Sequence, residues 1–371
     1  MCTVALALLL SACGGKEKIY IGLAGPLSAA NGLSMRQAAE MAVAEINEGG
    51  GIDGRLIELV MRDDSADQNR GIRVASELKG DPRIVAVIGH VNSSVSLKAA
   101  TIYNASDSAG SPVLQISPAS SSPALTQAGE WTFRVTPTDL EFSPALARYA
   151  RQMGLGRAAV LYVNDDYGQG VMTTFQSAFQ RQNGQVVAAD PFLPAVMAQG
   201  TELDPYLMRA MGRGADALVI GGQAAEGIKI IQAARRLGFR GQILGSDGLT
   251  GVKDAGAVAE GVFVSSAFLP DRADTTAQRF VKEYRRRYNA LPDHRGAMTY
   301  DVMYLLRDAI AQAGTDRRAL RDYVARIGSQ GGPRAHPGVS GPIAFDENGD
   351  VQGKPVAVGV VRGGQLVTAT R

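Results

Sequence analysis

Ile84-Val85-Ala86-Val87-Ile88-Gly89-His90-Val91-Asn92-Ser93-Ser94 carries the reading of the fold. The apolar run 84–88 is short and rich in β-branched residues, as expected of a strand covered on both faces in a parallel sheet. Gly89 and the small polar residues after it suit a turn into a helix expected over 93–108. Outward from this unit the pattern recurs. Strands are expected at 19–23, 56–61 and 113–116, with helices over 35–46, stopped by Gly49-Gly50-Gly51, and over 69–79. After the segment 133–139 the alternation restarts. Helices are expected over 141–153, 169–182, 203–211 and 226–237, and strands at 158–163, 185–189, 217–220 and 242–244. A strand at 262–268 then leads to helices over 276–288 and 296–313. The class is α/β, and two series in 371 residues imply two lobes, each a mostly parallel sheet flanked by helices. We expect one lobe from 18–138 with 264–344 and the other from 139–263 with 345–371, the chain crossing a hinge several times.

The totals exclude several function classes. The formal net charge of +2 offers no field for phosphate backbones, so no nucleic-acid partner is expected. Cys2 and Cys13 both precede the first strand, leaving the body without disulfide or thiolate metal site. His90, His294 and His336 are too scattered for a zinc site, so no metal and no cofactor is expected. Residues 1–15 read as a leader: 4–10 is apolar but too short to span a bilayer, and Ser11-Ala12 place small residues before Cys13. The first basic residue, Lys16, follows that cysteine, so the basic segment of such a leader is expected upstream of Met1.

In open α/β sheets ligands sit beyond the carboxyl ends of strands, at helix N-termini. The segments there are 89–94, 117–123, 164–168, 221–223 and 245–248. Those of the first lobe offer hydroxyls and backbone N–H groups, through Ser93, Ala119 and Ser121, and suit a carboxylate. Those of the second offer Asp247 for an ammonium and Tyr167 as an aromatic face. Singly, Ser93 and Ser121 read as cap and turn residues, and Asp247-Gly248 as a turn pair. Asp165 and Asp166 read as loop-shaping residues. The convergence of five loops is what describes a site for a zwitterion.

These residues resemble the type I periplasmic solute-binding proteins of branched-chain amino acid ABC transporters, the leucine/isoleucine/valine-binding group. The likeness runs over 19–367, through Gly25-Pro26, the stretch 42–53, Asp63-Asp64 and Val87-Ile88-Gly89-His90. It continues through Ile116-Ser117-Pro118-Ala119, Pro123-Ala124-Leu125-Thr126, Tyr167-Gly168 and Phe345-Asp346-Glu347-Asn348-Gly349-Asp350. The resemblance implies a two-lobed solute-binding protein that delivers an amino acid to a membrane permease with its ATPases. It implies carboxylate binding at Ser93, Ala119 and Ser121, amine binding at Asp247 and an aromatic contact at Tyr167. The Cys13 segment resembles the bacterial lipobox, implying a lipidated Cys13 and a membrane anchor outside the cytoplasm. Departures lie in the side-chain pocket. Gln223 stands where the group usually has a tyrosine, Ala30 and Asn31 where an aromatic is expected, and Arg295 where a phenylalanine closes the aliphatic pocket. Ala66 and Asn92 occupy the positions of the group's small disulfide. A polar or acidic amino acid, an amide and urea therefore all fit the altered pocket.

A rival within the same fold is a ligand-sensing receptor for amides, urea or amino acids. An enzyme is disfavoured. Gly154-Leu155-Gly156 precedes a strand instead of following one, and no P-loop or Gly-x-Ser-x-Gly elbow occurs.

Overall fold

The run 84–88 forms a strand, β3, in which all five residues are buried at the centre of a five-stranded sheet. The computed structural model describes residues 18–108, 110–197 and 202–370; the expected leader and Cys13 lie outside the described residues. Around β3 (Ile84–Ile88) stand β1 (Lys18–Gly25), β2 (Leu56–Asp63), β4 (Leu114–Ser117) and β5 (Thr132–Arg134), in the order β2-β1-β3-β4-β5. All pairings in this sheet are parallel. Its crossover helices are α1 (Ala30–Glu48), α2 (Gln68–Gly80) and α3 (Ser93–Tyr103).

The second sheet has the order β12-β11-β10-β9-β8-β6-β7. Its parallel strands are β6 (Arg157–Val163), β7 (Gln185–Phe192), β8 (Ala217–Gly221), β9 (Gln242–Gly245) and β10 (Phe263–Ser266). The edge hairpin β11 (Ala357–Arg362) and β12 (Gln365–Thr368) joins β10 antiparallel. Helices α4 (Asp139–Gln152), α5 (Asp166–Arg181), α6 (Asp204–Gly212) and α7 (Ala224–Arg236) accompany this sheet. Helices α8 (Thr275–Tyr288), α9 (His294–Ala313) and α10 (Arg317–Ala325) return to the first lobe. There Met298, Val302, Leu305 and Leu306 of α9 share one buried core with Ile19, Ile21 and Leu23 of β1. The second lobe has its own core, centred on Leu161, Leu218, Ile220 and Ile243.

Four details differ from the sequence reading. The helix expected to 108 ends at Tyr103, because Asn104 turns its amide to Ala100 O and Thr132 Oγ1 and accepts from Trp131 N–H. Helix α5 starts three residues before the expected position 169, capped by Asp165, whose carboxylate accepts from Gly168 N–H at 2.9 Å. The boundary expected at 263/264 falls inside β10, whose pairing with β9 and β11 keeps it in the second sheet. Residues from 345 do not pass directly to the second lobe: Phe345 and Val351 lie in the first core, and Arg134 Nε meets Asp350 at 2.5 Å. The last crossing therefore follows Val351. Among the described residues no helix is long and apolar enough to cross a membrane.

Candidate ligand-binding cleft

Five strands deliver their following loops to one seam between the lobes. On the first side, β3 leads through Gly89-His90 into α3. The imidazole of His90 is fully buried between Asp64 (2.6 Å) and the hydroxyl of Tyr103 (3.2 Å), which sets the turn before Ser93. The cap position of α3 is Asn92, not Ser93 as expected. Ser93 opens the first turn, and its hydroxyl accepts from Ser122 N–H at 3.3 Å. The serine loop after β4 is tied internally. Ser117 Oγ donates to His90 O at 2.7 Å and accepts from Ser120 N–H at 2.9 Å, and more weakly from Ala119 N–H at 3.3 Å. Arg134 supports it from beneath, donating to Ser122 O at 2.7 Å and Ser120 O at 3.3 Å. Ser121 is buried, its side chain beside the Asp139 carboxylate.

On the second side Tyr167 lies in the first turn of α5, and Asp247 heads a 3-10 segment, Asp247–Ala259, after β9. The two touch: Tyr167 Oη donates to Asp247 Oδ1 at 3.1 Å and accepts from Gly248 N–H at 2.8 Å. A Cβ at Gly248 would stand 2.5 Å from Tyr167 Oη and 2.6 Å from Gly222 O, so this approach requires glycine. Ser246 Oγ also donates to Asp247 Oδ1, at 3.1 Å. Burial pushes the Asp247 carboxyl above the usual range, opposed by the Arg295 guanidinium and the Tyr167 hydroxyl. Tyr167 is held well above 10 by burial and by the Asp247 charge.

The lobes meet across these groups. Arg295, in the first turn of α9, donates to Gln223 Oε1 at 3.0 Å and Thr250 Oγ1 at 3.1 Å, both on the opposite lobe. Its guanidinium is paired with Asp293 at 2.9 Å, while its Nε has no partner. Asp166 N–H donates to Ser94 Oγ at 3.1 Å. The cleft is closed: Ser93, Ala119, Ser121, Tyr167, Asp247 and Arg295 are all buried. Asn31 is half-buried in the first turn of α1, and no hydrogen bond joins it to this cluster. An open groove of about 700 Å³ between α8, α9 and 336–342, on the first lobe, shares none of these residues.

Sequence reasoning missed three groups. Asp139, the first residue of α4, is fully buried, with its carboxylate beside the Ser121 side chain. Arg134 holds the serine loop as described. His294 stands 3.6 Å from Asp247 Oδ2 and 3.4 Å from Thr250 Oγ1, and burial drives its pKa down to about 3. Thr250, His294 and Asp247 superficially follow a nucleophile relay. The imidazole–carboxylate gap of 3.6 Å exceeds hydrogen-bond length, so Asp247 does not orient the ring as such a relay requires. No cluster of metal-binding side chains occurs among the described residues.

A family model described as periplasmic binding protein matches residues 18–365. The Leu/Ile/Val-binding protein of Escherichia coli (strain K12) is 28% identical over 347 residues, covering 91% of this chain and 89% of that protein. An ABC transporter substrate-binding protein of Desulfitobacterium hafniense, solved in complex with Leu, is 31% identical with a TM-score of 0.79, covering 95% of this chain and all of that one. A leucine binding protein of Thermotoga maritima is 28% identical with a TM-score of 0.85, covering 95% and 98%.

Proposed function

The chain belongs to the periplasmic binding protein family, and from that premise we propose that it is the extracytoplasmic solute-binding component of an ABC importer. In this reading its two lobes close around an amino acid, which it hands unaltered to a membrane permease. The observation that carries the reading is the seam itself. Hydroxyl and N–H donors lie at the α3 N-terminus and serine loop of one lobe and a buried carboxylate and tyrosine on the other, and Asp166 N–H, next to that tyrosine, donates to Ser94 Oγ of α3 across the seam at 3.1 Å. The first side suits the ligand carboxylate, through Ser93, Ala119 N–H and Ser121. The second suits its ammonium, through Asp247, with Tyr167 alongside. Gln223 and Arg295 then wall the side-chain pocket and favour a ligand with a polar side chain. Because contacts from both lobes are made only when the lobes meet, binding stabilises the closed arrangement that a permease reads. Lipidation of Cys13 is part of the same proposal and would tether the protein to the membrane surface.

The test is thermal unfolding of the protein from Lys18 onward against amino acids, amides and urea. A ligand at a hundredfold its dissociation constant adds about 2.7 kcal/mol. We expect a rise with one or a few α-amino acids. Asp247→Ala should weaken that ligand by roughly two to three orders of magnitude, since removing one side of a buried charge pair costs about 3 to 5 kcal/mol. Unchanged affinity in calorimetry overturns the role of Asp247, and a response only to amides or urea favours a sensor.

A further inference from the structure

Arg134, the last residue of β5, is fully buried and yet bonded to the loop assigned to the ligand carboxylate. Its donors go to two targets. Nη1 donates to Ser122 O at 2.7 Å and to Ser120 O at 3.3 Å, both in the serine loop. Nε donates to Asp350 Oδ1 at 2.5 Å, and Thr126, which accepts from Nη2, donates in turn to Asp350 Oδ2 at 2.8 Å. The carbonyl between the two serines is taken as well, since Ser121 O accepts from Asp139 N–H at 2.9 Å. Three successive carbonyl oxygens of the loop are thus held by donors, two of them by one cation. A free carbonyl oxygen repels an anion, whereas one bonded to a guanidinium has its partial charge offset and its peptide fixed in orientation. The charge also reaches the cleft: burial raises the Asp139 carboxyl, the Asp247 charge adds to the rise, and Arg134 acts against it. The compensation by Asp350 is uneven. Its side chain is 14% exposed and that of Arg134 1%, so water screens the carboxylate better and a positive field remains beneath the loop. A neutral amide could tie the same carbonyls, and a buried charge is costly, so the charge is a surplus that a mere strut does not need.

We propose that Arg134 is a positioning residue for the ligand carboxylate: it sets the serine loop and, through its charge, makes that loop select an ionised carboxylate over a neutral carboxamide. The proposal rests on the amino-acid reading above and adds to it a residue that touches no ligand, and a selectivity. Asp350 sets the size of the effect, because it compensates the same charge. Arg134 ends β5 and Asp350 stands beside it, ahead of the crossing that follows Val351. Both belong to the first lobe, so the pair stays with the loop when the lobes part, and the selectivity acts on the ligand at its first encounter with that lobe.

The experiment is calorimetry at roughly pH 6, where the α-ammonium groups are protonated, with L-leucine, L-glutamine and their α-carboxamides, weak ligands being read by displacement of the amino acid. We expect the wild type to bind an amino acid more tightly than its α-carboxamide. Arg134→Gln combined with Asp350→Asn removes both charges and leaves neither buried and unpaired. It should weaken the amino acid between about tenfold and a hundredfold and the carboxamide by less than about threefold, so that the ratio of the two affinities collapses. Arg134→Lys keeps the charge without the planar fork and should keep most of that ratio. Asp350→Asn alone keeps the shape of the pair and removes the compensating charge; it should lower the melting temperature and raise the ratio. Equal losses for both ligands in the double variant reduce Arg134 to a strut, overturning the inference and leaving the amino-acid reading standing. Should the double variant fail to fold, Asp350→Asn decides, and a ratio that is unchanged or lowered there overturns the inference. A wild type that binds neither amino acid, and responds instead to amides or urea, overturns both.

Discussion

His294 illustrates how one buried side chain couples the cleft to pH. Burial pushes its pKa from 6.5 to about 3, with the Arg295 charge acting in the same direction, so in the folded protein it stays neutral over most of the acid range. The unfolded chain takes up a proton near pH 6.5, and between there and about pH 3 the unfolded state binds more protons. Stability contributed by this residue is therefore lost as pH falls through that window. Burial raises Asp139 and Asp247, which act with the opposite sign above the ordinary carboxylate range. Comparing the wild type with His294→Asn at each pH isolates the histidine. We expect urea midpoints of the wild type to fall more steeply than those of the variant between pH 6.5 and 4.5; parallel slopes would show that His294 is protonated in the fold.

At the scale of elements, the site depends on where helices begin. Tyr167 can meet Asp247 because α5 starts at Asp166, and α5 starts there because Asp165 caps it. Gly168 in that first turn lets the helix approach β6, since a Cβ would stand 2.0 Å from Val163 O. Asp165→Ala should cost about 1 kcal/mol, read as a lower midpoint in denaturant titration. It should also weaken amino-acid binding, because the fraying turn carries Tyr167. A variant with lowered stability and full affinity would show that the tertiary contacts of Tyr167 hold the turn without its cap.

For the whole molecule, the consequence is closure. The chain passes between the lobes after β5, after β10 and after Val351, and the remaining ties across the seam are side-chain contacts such as Arg295 to Gln223 and Asp166 N–H to Ser94. Burial raises the pKa of the Asp139 carboxyl, with the Asp247 charge acting in the same direction, so closure without ligand disfavours ionisation of both carboxyls at once. Small-angle scattering should show a smaller radius of gyration on adding the amino acid that shifts the melting curve. Equal radii with and without it would mean that the seam stays shut by itself.

Local patterning sufficed for most of the framework. Runs such as 84–88 and the helical spacing of 35–46 record burial on two faces or on one, and that burial is a property of neighbours in sequence. The same logic located the loops carrying Ser93, Ser121, Tyr167, Gln223 and Asp247, because strand ends and helix starts are local events. It did not extend to Asp139, Arg134 or the partners of Arg295. Asp139 reads as the end of a linker, and only the crossing after β5 brings it beside Gly170 of α5. Arg134 meets Asp350 across 216 positions of chain, and Arg295 meets Gln223 across 72. Which charges end up paired, and which are left for a ligand, is decided by contacts between segments that no local period encodes.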